Sequence, residues 1–131
     1  VMVGFSGETE GDFVKSCEFV EKVGFSKLHV FPYSVRRGTR AENFEGAVSP
    51  EEKDRRCAEM IKIGNRMTEK FLESQIGLCT DVLFERPCGG GLYEGFTKNY
   101  VKVVKKSDTD ISGKILNIHA VSVDGEHLLA E

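Results

Sequence analysis

The chain has 131 residues, of which 40% are hydrophobic and 30% charged, with a formal net charge of −3. That balance excludes a chain disordered as a whole and a wholly basic nucleic-acid binder. The apolar runs are too short to span a bilayer or to form a signal-peptide core. The length suits one ordinary domain or two small ones.

The first element is the strand-like Val1-Met2-Val3, which leads into the glycine-bearing turn Gly4-Phe5-Ser6-Gly7-Glu8. Thr9, with Asp12 three residues on, makes a capping-box pattern. Phe13, Cys17, Val20 and Val23 then recur at helical spacing, and Gly24 is placed to stop the helix. Lys27 to Phe31 reads as the next strand. Strand, helix and strand on short connections form a βαβ unit, with parallel strands and a right-handed crossover.

Residues 32–49 carry no period and read as a long loop, a feature usually tied to function. Ser49-Pro50-Glu51-Glu52 opens a second helix. Cys57, Met60, Ile61, Gly64, Met67 and Phe71 keep helical spacing to about Ile76, and Gly77 ends the run. From Leu78 the period changes to two. The stretches 78–85, 92–97, 100–104, 114–123 and 127–130 predict five short antiparallel strands, a small barrel of the OB kind. The expected class is α+β, in three segments: 1–48, a linking helix 49–77, and an all-β module 78–131.

Three stretches carry chemistry. Backbone N–H groups of GFSGET can hold an anion at a helix start, although the stretch is neither GxGxxG nor a Walker loop and also reads as a plain βα turn. In PYSVRRGT, Tyr33, Ser34, Arg36 and Arg37 follow the carboxyl end of a strand, where parallel folds build their sites; a solvated basic loop is the competing reading. In GFTKNYVKVVKK, Phe96 and Tyr100 alternate with Lys98, Lys102, Lys105 and Lys106, as a stacking surface for single-stranded RNA requires. The competing reading is a core Phe96 with a lysine-defended edge strand. Residues 78–131 hold six basic and eight acidic residues, a net of −2, which makes a stripe and not a basic domain. Cys17, Cys57, Cys79 and Cys88 show no CxxC spacing, and His29, His119 and His127 are isolated, so no metal site or catalytic triad is expected. Scattered cysteines read as reduced thiols of a cytoplasmic protein.

Taken in order, VGFSGETEGDF, VGFSKLHVFPYSVRRGTRA, KDRR, VLFE and YEGFTKNYVKV resemble the C-terminal part of the radical-SAM tRNA methylthiotransferases. The resemblance implies that residues 1–48 are a βαβ remnant of the radical-SAM barrel and that 78–131 are its RNA-binding TRAM barrel. It implies an enzyme with S-adenosyl-L-methionine and two 4Fe-4S clusters, which adds a methylthio group to an N6-modified adenosine beside the anticodon. LHVFPYS and NYVKV are most similar to the branch acting on threonylcarbamoyl-adenosine. The cluster-binding CxxxCxxC motif is missing, so this chain is expected to hold no cofactor, to carry no catalytic residue, and only to bind tRNA.

By the same resemblance, Gly4, Phe5, Gly7 and Glu8 match the family's GFPGE turn on the S-adenosyl-L-methionine side, with Ser6 in place of Pro. Tyr33, Ser34, Arg36, Gly38 and Thr39 match YSxRxGT, and Lys53 and Arg56 match KxxR. The expected contacts to the tRNA anticodon stem-loop are Phe96, Lys98, Asn99, Tyr100, Lys102 and Lys105. No membrane partner is expected. Two parallel strands and a helix leave a sheet face open, so a homodimer or swap through residues 1–48, or disorder there, is also expected. Two rival readings are a stand-alone RNA-binding or interaction module without enzymatic activity, and a small α/β anion-binding protein using GFSGET.

Overall fold

The computed structural model describes residues 1–131, which divide into two compact units, Val1–Thr68 and Glu69–Glu131. In the first unit β1 (Met2–Val3) lies parallel to β2 (Phe31–Pro32), with Met2 opposite Phe31 and Val3 opposite Pro32. The strand expected from Lys27 shrinks to two ladder residues, because β1 offers only two partners. Between them runs α1 (Glu10–Val23). Its capping box is complete: Thr9 accepts from the Asp12 N–H and Asp12 accepts from the Thr9 N–H. Gly24 closes it in the left-handed region, donating to the Val20 carbonyl.

The long loop contains a short 3-10 helix (Arg40–Asn43) before α2 (Pro50–Glu73), whose N-cap Ser49 accepts from the Glu52 N–H. Phe13, Cys17 and Val20 of α1 pack with Val3, Met60 and Ile63 into one core, with Leu28, Val30, Cys57 and Met67 at its border. Gly64 sits mid-helix, where glycine is unfavourable by roughly 0.5–1 kcal/mol against alanine. Its reason is close packing: a Cβ there would lie 3.2 Å from Leu28 Cβ.

The second helix ends at Glu73, three residues before the expected end. The Gln75 and Ile76 N–H groups bond back to Leu72 and Glu73 in tighter turns, and Gly77, in the left-handed region, donates to Ala120. The second unit then follows as β3 (Cys79–Gly89), β4 (Leu92–Thr97), β5 (Lys102–Lys106), β6 (Ile115–Asp124) and β7 (His127–Ala130). The connection between the strands expected at 78–85 and 92–97 is shorter than those bounds leave. Two register shifts let β3 run through Pro87 to Gly89, and only Gly90 and Gly91, both at positive φ, make the hairpin.

The pairing order is β3-β4-β5-β7-β6, with β6 returning to β3. The expectation of an all-antiparallel sheet is corrected, since β5 and β7 run parallel, Val103 opposite Leu128. The reason is parity. Every other neighbouring pair is antiparallel, and a ring of five strands cannot alternate all the way round. Val82, Phe84, Val101, Val103, Ile111, Ile118, Ala120 and Leu128 fill the interior with Leu72.

Candidate functional sites

In the first unit the chain leaves β1 through Gly4 and Gly7, both at positive φ (74° and 84°). Phe5 to Glu8 form a tight turn closed by the Glu8 N–H on the Phe5 carbonyl, with Gly7 in the position that favours glycine. Glu8 folds back and accepts from the Gly4 N–H at 2.6 Å. The same carboxylate accepts from Arg56 Nη1 at 2.7 Å, and Arg56 also donates to the Glu8 carbonyl and to Glu52. Burial pushes the Arg56 pKa down, but the hydrogen bonds to Glu8 and Glu52 outweigh it and hold the guanidinium firmly charged.

Lys53 completes this cluster. Its Nζ donates to the Tyr33 carbonyl at 3.0 Å, and its stem lies so near Gly4 that a Cβ there would come within 2.5 Å of Lys53 Cγ. The Phe5 ring packs edge-on against Tyr33, centroids 4.7 Å apart, and against Phe44. The structure thus brings Gly4, Phe5, Gly7, Glu8 and Tyr33 together with Lys53 and Arg56. Ser34 and Arg36 are exposed.

Sequence reasoning missed that KxxR serves the glycine turn; the spacing of Lys53 and Arg56, one helical turn apart, was the available signal. The anion-cradle reading of GFSGET loses four of its six backbone donors. The N–H groups of Gly4, Gly7, Glu8 and Thr9 already bond to Glu8, Gly46, Phe5 and Asp12. The four free cysteines do not converge, and no group of His, Cys, Asp or Glu can hold a metal ion, so this chain's residues do not fit an iron–sulfur cluster.

The second unit gives Gly95, Thr97 and Asn99 of GFTKNY structural roles. Gly95 is enforced by crowding, for a Cβ there would lie 2.3 Å from the Leu83 carbonyl oxygen. Thr97 is buried and anchors the loop: its hydroxyl accepts from the Val101 N–H at 2.9 Å and donates to Asn99 Oδ1 at 2.6 Å. Asn99 in turn donates to Gln75. The connection Lys98–Tyr100 is closed by the Tyr100 N–H on the Thr97 carbonyl and the Thr97 N–H on the Val101 carbonyl. In such a loop the last residue is left-handed, and glycine commonly takes it. Here it is Tyr100, the one non-glycine residue with positive φ, at 63°.

Tyr100 is 88% exposed and its ring centroid stands 6.3 Å from that of Phe96. Phe96 belongs to a cross-strand row. Ile115 pairs with Leu83, Leu83 with Phe96, and Phe96 with Lys102. These four alternate with the interior residues Val82, Phe84 and Val103 and so face outward. Asp81, Leu83, Glu85, Phe96, Thr97, Lys98, Tyr100 and Ile115 line a surface groove of about 260 Å³.

The lysines around it are paired. Lys98 Nζ lies 2.8 Å from Asp81, which also accepts from Asn117, and these two partners hold the Asp81 carboxyl below its ordinary pKa, Asn117 most. Lys102 Nζ lies 2.6 Å from Glu94, which also binds Arg86; Lys102 and then Arg86 hold Glu94 down in the same way. Lys105 stands apart, two residues beyond Val103 on the other parity of β5, opposite Tyr93 and Ala130. Leu83 and Ile115 escaped sequence reasoning, because only the strand register sets them beside Phe96.

No family model matches the chain. Curated relatives do. It is 34% identical over 122 residues to the Threonylcarbamoyladenosine tRNA methylthiotransferase MtaB of Bacillus subtilis, covering 90% of this chain and 27% of that protein. It is 35% identical over 138 aligned positions to the tRNA-2-methylthio-N(6)-dimethylallyladenosine synthase of Nitratidesulfovibrio vulgaris strain Hildenborough, covering 100% of this chain and 31% of that protein. It is 36% identical over 102 residues to the MtaB of Thermotoga maritima, covering 78% and 24%. These names describe enzymes that act on tRNA. The relatives that match most or all of this chain are tRNA methylthiotransferases, and the chain spans about a quarter to a third of their length.

Proposed function

We propose that this chain is the C-terminal share of a tRNA-modifying methylthiotransferase and that it holds the tRNA through its second unit. The observation that carries this is the match of nearly the whole chain to enzymes so named. The finer reading is a radical-SAM enzyme of the cytoplasm acting on threonylcarbamoyl-adenosine beside the anticodon, in line with two relatives of that name. S-adenosyl-L-methionine and the two 4Fe-4S clusters would supply the radical and sulfur chemistry, and the clusters need ligands from other parts of the enzyme. On this reading Gly4, Phe5, Gly7, Glu8, Tyr33, Ser34 and Arg36 border the S-adenosyl-L-methionine side, Glu8 shaping the turn through Gly4 and Arg56. Phe96, Lys98, Asn99, Tyr100, Lys102 and Lys105 are the proposed RNA side, with Asn99 shaping the loop through Thr97 and Gln75. No helix is long and apolar enough to cross a membrane.

The test is titration of a fluorescent anticodon stem-loop with the chain at low salt. Micromolar binding, weakened by Lys98→Ala with Lys102→Ala, supports the reading; no binding at high micromolar protein ends it. A homodimer or swap through residues 1–48 belongs to the same proposal, because the cross-strand partners Met2 and Phe31 are both exposed. Sedimentation that finds only monomer at high protein concentration removes that part.

A further inference from the structure

We infer that the groove beside Tyr100 holds one unpaired nucleobase by stacking, and that this contact, not phosphate attraction, provides most of the RNA affinity. The inference rests on the tRNA reading above and names how that site works. Three observations carry it.

The first is the conformation of Tyr100. A bulky side chain in the left-handed region is an outlier that persists only where its surroundings enforce it. Here the enforcement is visible: the Thr97 hydroxyl, Asn99 and two backbone bonds close the loop around it. The result is a phenol ring 88% exposed, which no folding requirement explains. Held beside Phe96, it presents a face to any ring that enters.

The second is the floor beneath it. Ile115 is 68% exposed and Leu83 42% exposed, and both line the groove with Phe96. Three apolar groups side by side on the outer face of a sheet form a patch that marks a binding surface. A planar base matches it, because every base has an apolar face, and polar edges that can meet the Asp81 and Glu85 carboxylates at the rim.

The third is charge. Lys98 is ion-paired with Asp81, and Lys102 shares Glu94 with Arg86. Asp81, Glu85 and Glu94 against Arg86, Lys98 and Lys102 leave this face electrically balanced. A balanced face suits an uncharged base held between the phosphates and offers few unpaired cations for counterion release. Paired bases in a duplex have their faces covered by their neighbours, so the site selects an unpaired one.

The experiment uses the full chain and two RNAs of equal length: an anticodon stem-loop with 2-aminopurine in the loop, and a fully paired duplex. The unmodified chain should bind the stem-loop, quench its 2-aminopurine, and bind the duplex about tenfold or more weakly, the scale of one stacked base. Affinity should fall with salt no faster than one or two phosphate contacts allow. Tyr100→Gly suits the left-handed backbone, so it should fold as well as the parent yet bind about tenfold more weakly without quenching. Tyr100→Phe keeps the ring and should bind as the parent does. If Tyr100→Gly binds undiminished, if both RNAs bind alike, or if affinity collapses steeply with salt, stacking is wrong while tRNA binding stands. If the unmodified chain binds neither RNA, both fall.

Discussion

Arg56 donates to the carboxylate of Glu8 at 2.7 Å and to the carbonyl of the same residue at 3.0 Å, although 48 positions separate them in the chain. The Arg56 side chain is 5% exposed and that of Glu8 13%. The carboxylate in turn fixes the Gly4 N–H. One side chain of α2 therefore sets the shape of the turn that leaves β1.

Removing Arg56 should loosen that turn. Arg56→Met keeps an apolar stem but removes the guanidinium that lies over the Phe13 ring, and it leaves Glu8 a nearly buried charge with one donor. Loss of one partner from a buried pair is strongly destabilising; with Glu8 slightly solvated, about 2–3 kcal/mol is expected. The measurement is hydrogen exchange at the Gly4 and Glu8 amides, which should speed up well ahead of amides in β4. Unchanged exchange at both would show that the backbone holds the turn unaided.

The same network predicts acid sensitivity. The hydrogen bond from Arg55 holds the Glu52 carboxyl down to about 2, from an ordinary 4.5; burial opposes it, and the hydrogen bond from Arg56 adds a smaller pull in the same downward direction. A carboxyl whose folded pKa is depressed contributes stability above its unfolded value and loses it as pH falls. The contribution of Glu52 should thus be complete above about pH 4.5 and lost between 4.5 and 2. Carboxyl carbon shifts followed by NMR should place the Glu52 midpoint near the bottom of that window, and Glu52→Gln should flatten the fall in stability across it. A midpoint at 4.5 would mean that Arg55 and Arg56 do not hold it.

Much of this was readable in the chain because it is local. The Thr9–Asp12 capping box, the Gly24 stop, the Ser49-Pro50 start and the change of period at Leu78 each involve residues a few positions apart. What escaped is non-local. Nothing near Glu8 announces Arg56. The parallel β5–β7 pair follows from closing an odd number of strands, which no single strand reveals. Lys98 and Lys102 read as available cations until the register set Asp81 and Glu94 beside them, and Lys105 read as their neighbour until strand parity placed it elsewhere.

Gly95 offers a test of the barrel-like packing behind the groove. An added methyl would meet the Leu83 carbonyl oxygen at 2.3 Å and Phe84 Cα at 2.8 Å, both backbone atoms that cannot rotate away. Gly95→Ala must push β3 and β4 apart, and overpacking of this kind costs about 1–3 kcal/mol or more. A thermal melt should show a clear drop, whereas Gly113→Ala, where a Cβ meets nothing within 4 Å, should show only the smaller strain of its positive φ. Equal drops would mean that the close approach of β4 to β3 relaxes freely.

Thr97 separates the presentation of Tyr100 from its chemistry. Its hydroxyl accepts from the buried Val101 N–H and donates to Asn99, so it fastens both ends of the loop. Thr97→Val keeps the volume and β-branching but strands the Val101 N–H, a loss of about 1–3 kcal/mol for an unpaired buried donor. Thr97→Ser keeps the hydroxyl and should lose little. If the loop fixes Tyr100, Thr97→Val should also shift the Tyr100 ring resonances toward those of a freely rotating tyrosine in NMR, and Thr97→Ser should leave them in place. Ring resonances unchanged in Thr97→Val would show that Phe96 alone holds the tyrosine, and that the left-handed backbone is not what aims it.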